Sequence, residues 1–170
     1  METIDLLQLH RLDPAYTIAD QVGALAELRE QGKIRYIGLS EVTIDELSEA
    51  RLVTPIGAVQ NLYNLSARDH DAVLDYSTGA GIAFISFFPL AIGDLARPGS
   101  TLDEVTAELN ATPPSQVALA WLLQRAANVL PIPGTTSIAH LEENVSASRL
   151  RLTEEQLQRI GAHTSAERGR

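Results

Sequence analysis

The feature that most constrains this chain is a unit of strand followed by helix that recurs five times along its 170 residues. Apolar, β-rich runs lie at Thr3–Leu9, Ile34–Leu39, Ile56–Val59, Ile82–Phe87 and Val129–Ile132. Helical spacing fills the intervals between them. Ile18, Val22, Leu25 and Leu28 share one face of a helix that Gly32 ends. Thr43 and Glu46 form a capping-box pattern for a second helix, expected to bury Leu47 and Leu52. A weaker helix runs from about Arg68 to Ser77, closed by Gly79 and Gly81. Thr101 with Glu104 opens a short helix, and Thr112-Pro113-Pro114 opens a longer one that buries Val117, Ala120, Trp121 and Leu123. Thr153 with Gln156 caps a last helix carrying Leu157 and Ile160, and Ala162 to Arg170 is expected to be a flexible tail. Strands that alternate with helices in this way form a parallel sheet wrapped by helices, so the fold class is α/β. Residues 1–170 are expected to form a single domain.

Composition narrows the function. Charge is −9, with 13 basic against 22 acidic residues, and the isoelectric point is near 4.8. That balance argues against nucleic acid or an anionic membrane as the main partner. The longest apolar stretch, Gly81 to Gly93, is too short to span a bilayer and contains Pro89. Without cysteine there is no disulfide framework and no thiolate metal site, and a cytoplasmic setting is expected. No metal site is expected.

In parallel α/β sheets ligands gather at the C-terminal ends of the strands, where loops and helix N-termini converge. The residues at those ends are His10, Ser40, Glu41, Gln60, Asn61, Phe87, Phe88, Pro89, Leu90 and Gly134 to Asn144. The loop Pro89 to Ser100, carrying Gly93, Asp94, Arg97, Pro98 and Gly99, has a length common in functional loops. The stretch Pro131-Ile132-Pro133-Gly134-Thr135-Thr136-Ser137 leads into helical spacing through Ile138, Leu141 and Val145. Ser137 is placed to cap that helix, whose free N–H groups would favour a phosphate. Ordinary structural roles stay open at each position: a core histidine at His10, satisfied loop polarity at Ser40 and Gln60, a core aromatic at Phe87, a solvated helix residue at His140.

Several of these strand ends, in this order, resemble one family. Asp5-Leu6-Leu7-Gln8-Leu9-His10, Gly32-Lys33-Ile34-Arg35-Tyr36-Ile37-Gly38-Leu39-Ser40, Val59-Gln60-Asn61-Leu62-Tyr63-Asn64, Phe88-Pro89-Leu90 and the Pro-Ile-Pro-Gly stretch with Leu141-Glu142-Glu143-Asn144 are similar to the aldo-keto reductases. The resemblance covers nearly the whole chain. It implies the last five strands, the fourth to the eighth, of a (β/α)₈ barrel that binds NADP(H), with NAD(H) as the alternative, and reduces aldehydes or ketones by hydride transfer. It implies His10 as the catalytic histidine that orients the substrate carbonyl, Ser40 and Gln60 as holders of the nicotinamide carboxamide, and Phe87 as the ring stacked on nicotinamide. Pro89 and Leu90 would line the pyrophosphate path. Gly134, Thr135, Ser137, His140, Glu143 and Asn144 match the positions around the 2′-phosphate and adenine. Glu41 stands where many members have asparagine, Gly134 where many have lysine and His140 where many have arginine. A neutral imidazole is a poorer phosphate partner than a guanidinium fork, so these departures weaken the preference for NADP.

The family's first three βα units, with their catalytic aspartate, tyrosine and lysine, have no counterpart in these 170 residues. A whole barrel needs roughly 250. The resemblance therefore implies the C-terminal, cofactor-binding part of a reductase, weakly active or inactive by itself, with a small carbonyl compound as substrate. Its open sheet edges would favour self-association or pairing with an N-terminal half. The alternatives are a non-catalytic dinucleotide-binding or regulatory module and a self-contained five-stranded doubly wound domain.

Overall fold

The computed structural model describes residues 2–90, 98–109 and 113–167, with side chains as far as Ala162. Five strands lie in one parallel sheet in the order β1-β2-β3-β4-β5: β1 Ile4–Leu9, β2 Ile34–Ser40, β3 Ala58–Leu62, β4 Ala83–Phe87 and β5 Val129–Pro131. Helices α1 (Ile18–Glu30), α2 (Ile44–Val53), α3 (Asp71–Ala80), α4 (Thr101–Glu108), α5 (Pro114–Arg125), α6 (Ile138–Ser146) and α7 (Glu154–Glu167) fill the intervals. The α/β class and the partial-barrel strand order expected from the sequence are therefore present. Residues 91–97 and 110–112 are outside the described residues, and with them the expectations for Gly93, Asp94, Arg97 and Thr112. The chain divides into two compact units, one of Met1–Asn61 with His70–Ile85, the other of Leu62–Asp69 with Ser86–Arg170.

In the first unit β1 and β2 run parallel from Ile4 opposite Ile34 to Leu9 opposite Leu39, and β2 continues against β3 with Ser40 opposite Gln60. The strands approach closely at Gly38, where a Cβ would come within 2.8 Å of Gln8 Cγ and 3.3 Å of the Ala58 carbonyl oxygen. The core is made by Val22, Ile37, Leu39, Leu47, Ala50, Val59, Leu74 and Phe84, all fully buried. Thr17 and Thr43 cap α1 and α2, the second through the expected capping box with Glu46. Leu52 is the exception to the expected pattern: it is 88% exposed, and Ala50 takes the buried place beside Leu47. Five residues separate Leu52 from Leu47, a rotation of about 140° that carries it off the core face. Helix α3 begins at Asp71 rather than near Arg68 and ends at Gly81 in the left-handed region (φ 68°).

In the second unit α5 buries Val117 through Leu122 without a break, so this helix lies inside its unit rather than on its surface. Tyr63 stacks on Trp121 with ring centroids 6.4 Å apart, and the Arg68 guanidinium lies 4.8 Å from the Trp121 centroid. Arg159 of α7 reaches Glu104 and Glu108 of α4 at 3.2 and 2.7 Å. Gln156 joins that pairing, and its hydrogen bond, with Arg159 second, lowers the carboxyl pKa of Glu108. Helix α7 continues to Glu167, past Ala162 where a tail was expected, while the His163 side chain is outside the described ones.

Candidate functional site

In the first unit His10 follows the end of β1 and Ser40 ends β2, while Gln60 lies within β3. Ser40 is the last residue of β2 and is paired in register with Gln60; His10 directly follows Leu9, which is paired with Leu39 one step before Ser40. The parallel ladder thus brings His10, Ser40 and Gln60 to one level. Ser40 is buried, Gln60 half-buried and His10 exposed. Gln60 and Asn61 lie inside β3, which extends further than its apolar pattern suggested. Arg11, which with His10 forms the polar pair at the end of the first strand and to which the sequence assigns no role, donates through Nη1 to Ser40 Oγ at 3.1 Å and to the His10 carbonyl at 2.7 Å. The signal available for it was its place next to a strand-end histidine.

The corner after Ser40 is strained and clamped. Glu41 has φ 54°, in the left-handed region that a residue with a Cβ occupies at a cost of about 1 kcal/mol. Asn61, fully buried, accepts from Val42 N–H at 3.2 Å and donates to the Val42 carbonyl at 2.8 Å. Its amide nitrogen also lies 2.9 Å from His70 Nδ1, which in this arrangement accepts.

The second unit repeats the device. Phe88 follows Phe87 with φ 50°, and Glu41 and Phe88 are the two non-glycine residues of positive φ among the described residues. Buried Asn64 donates to the Phe88 carbonyl at 2.9 Å and accepts from the Ser66 and Ala67 N–H groups at 2.8 Å. Strain held in place directly after Ser40 and Phe87 marks both corners as functional candidates. The sequence places Asn61 among the strand-end residues and Asn64 in the motif Val59 to Asn64, but marks neither as a clamp on a neighbouring corner.

Beyond that corner lies a cavity of about 480 Å³ lined by Phe87, Phe88, Pro89, Leu90, Ile132, Pro133 and Gly134. A second cavity of about 380 Å³ is lined by Leu90, Pro113, Ser115, Gly134, Thr135, His140, Glu143 and Asn144, so Leu90 and Gly134 border both. Phe87, half-buried, meets Phe88 at 5.5 Å and a tilt of 57°. Ser137 lines neither cavity; it caps α6, accepting from the His140 N–H at 3.4 Å, while its own N–H donates to Thr135 Oγ1 at 3.1 Å. Glu143 is the carboxylate of the second cavity, and among its described lining residues there is no lysine or arginine. Gly134 has an unstrained backbone and open space where a side chain would project. Ile138, Leu141 and Val145 of α6 are exposed rather than core. Among the described residues no cluster of histidine and carboxylate groups suits a metal ion, and no helix is long and apolar enough to cross a membrane.

The sequence model of the aldo/keto reductase family matches residues 1–165. The chain belongs to that family. Pyridoxine 4-dehydrogenase of Escherichia coli is 50% identical over 141 residues, which cover 83% of this chain and 49% of the relative. A thermostable aldo-keto reductase solved with the inhibitor epalrestat superposes with a TM-score of 0.85 at 30% identity, over 95% of this chain and 60% of that one. An aldo-keto reductase of Klebsiella pneumoniae in complex with NADPH does so with a TM-score of 0.82 at 25% identity, over 96% of this chain and 59% of that one. As an aldo-keto reductase, this chain spans about half the length of the curated relatives it matches.

Proposed function

We propose that this aldo-keto reductase chain forms the cofactor-gripping part of an enzyme that reduces aldehydes or ketones to alcohols with NADP(H). The observation that carries the reading is the register that sets Ser40 opposite Gln60 with His10 beside them. In this assignment Ser40 and Gln60 hydrogen-bond the carboxamide of the cofactor, and Phe87 offers a ring face to it. Pro89 and Leu90 line the path of the diphosphate; Gly134, Thr135, His140, Glu143 and Asn144, which border the second cavity, surround the adenosine end, with Ser137 capping α6 beside them. The second cavity fits the sugar and base of such a group, with Ser115, Thr135, His140 and Asn144 as hydrogen-bonding side chains; Glu143 and the absence of lysine or arginine among its described lining residues fit a 2′-phosphate less well. The bound dinucleotide supplies a hydride to the carbonyl carbon. His10 donates a hydrogen bond to the carbonyl oxygen and so orients it.

The 170 residues by themselves hold no counterpart of the tyrosine, lysine and aspartate that the family resemblance assigns to proton delivery. Losing a general acid costs about 10²–10⁴ in rate, so the chain alone should bind cofactor while turning over slowly. Titration of NADPH and NADH by fluorescence, followed by turnover of a generic aromatic aldehyde and of pyridoxine with NADP⁺, tests this. Pyridoxine is included because of the 50% identical dehydrogenase. Ser40→Ala and Gln60→Ala should each weaken NADPH binding about fivefold, the loss of one hydrogen bond. Binding of neither nucleotide would refute the assignment.

A cysteine-free chain of this composition fits a cytoplasmic location. We further propose that the outer strands β1 and β5, with Ile4 and Leu130 exposed, promote association with a second chain. Size-exclusion chromatography reads this directly, and a stable monomer at high concentration counts against it.

A further inference from the structure

We propose that Arg11 selects carbonyl substrates carrying an anionic group, a carboxylate or a phosphate, close to the reacting carbonyl; this deepens the reductase reading and rests on it. Arg11 directly follows His10, and both hydrogen bonds of its guanidinium leave from the same nitrogen: Nη1 serves Ser40 Oγ at 3.1 Å and the His10 carbonyl at 2.7 Å. The Nε and Nη2 groups donate to nothing among the described residues. That edge is the one with which a guanidinium grips an oxyanion by two parallel hydrogen bonds. Its two acceptors are neutral, and Arg11 makes no ion pair among the described residues, although acidic residues outnumber basic ones 22 to 13 in the chain. Even Glu41, next in the chain after Ser40, is not its partner.

Arg35 pairs with Asp5, Arg159 with two glutamates, and Arg51 and Arg68 lie over aromatic rings. Arg29, Arg149 and Arg151 make no ion pair among the described residues either, and Arg151 is likewise held through Nη1 by neutral carbonyls, those of Ser148 and Leu150, but none of the three stands at the C-terminal end of a strand. Arg11 is instead anchored at one nitrogen and exposed at the strand end where His10 is assigned to meet the carbonyl. An anchored, unpaired cation at that place favours a substrate whose negative charge lies within a guanidinium's reach of its carbonyl. A neutral aldehyde gains nothing from it.

The test uses the 170-residue chain with and without saturating NADPH, titrated with benzaldehyde, 2-carboxybenzaldehyde and 2-formylphenyl phosphate. At least one of the two anionic aldehydes should bind about tenfold or more tightly than benzaldehyde, as one charge-assisted hydrogen bond permits. Which one it is distinguishes carboxylate from phosphate. Arg11→Gln should bring all three to similar affinity, whereas Arg11→Lys should retain part of the preference by keeping the charge without the fork. Circular dichroism confirms that both variants fold, as expected for an exposed side chain. Equal binding of the three by the unaltered chain, or a preference that survives Arg11→Gln, would overturn the proposal. Failure of NADPH to bind while the Arg11-dependent preference persists would instead remove the reductase reading and leave the anion site standing.

Discussion

The two units place their candidate site residues by different physical means. In the first, His10, Ser40 and Gln60 are positioned by a hydrogen-bonded ladder: once Leu9 is opposite Leu39 and Ser40 opposite Gln60, their level is set. In the second, the expected residues other than Ser137 line two cavities built from loops, prolines and α6, and none of them depends on strand register beyond Phe87. A ladder transmits error all along a strand, because a slip of one residue turns every side chain to the other face. A loop-built cavity fails locally. Both units nevertheless secure the corner after a strand with a left-handed residue and a buried asparagine amide.

This contrast can be broken most forcefully at Asn64. Replacing it by alanine leaves the Ser66 N–H and the Phe88 carbonyl without that partner and the Ala67 N–H with only the Asn64 carbonyl at 3.3 Å, and should cost about 2 kcal/mol in urea unfolding. A loss below 1 kcal/mol would mean that the corner at Phe88 holds its shape without the clamp. Next comes Gly38→Ala, which presses a methyl against Gln8 and the Ala58 carbonyl and should destabilise by about 2 kcal/mol. If the ladder argument holds, NADPH binding through Ser40 and Gln60 weakens with it, whereas a change confined to stability would separate register from binding. Glu41→Gly should have the opposite sign, with about 1 kcal/mol of stability gained by relief of the left-handed backbone. An unchanged or lower unfolding midpoint would show that the Glu41 side chain contributes more than its conformation costs. The smallest effect is expected at Gly134→Lys. Open space there accepts the side chain, and the added cation should strengthen NADPH binding about two- to fivefold with NADH unaffected. Equal gains for both nucleotides would place the 2′-phosphate elsewhere.

Much of the fold was legible because apolar runs and helix caps are local signals. Thr43 with Glu46, Pro113-Pro114 and Gly81 announce their elements without reference to the rest of the chain. What was not legible depended on packing over distance. Leu52 looks like a core leucine by type, but its angular position takes it into solvent. The start of α3 was placed too early because Leu65 to His70 is helix-compatible by composition, while Asn64 holds Ser66 and Ala67 in a turn. Among the site residues, His10, Ser40 and Phe87 followed from strand ends. Ser115 and Pro113, which line the second cavity from the start of α5, carry no such signal, and neither does the hydrogen bond from Arg11 to Ser40. Ser137 was legible as a helix cap, and its absence from the linings of both cavities was not.

The two clamps come from a single tract, Gln60 to Asn64, with Asn61 serving one corner and Asn64 the other. Anyone transplanting either corner into another scaffold would therefore have to carry three parts as a cassette: the terminal strand residue, the bent residue after it, and the asparagine from the adjoining strand exit. Grafted without that asparagine, the bend would relax toward extended backbone, and Ser40 or Phe87 would arrive at its new site aimed in the wrong direction.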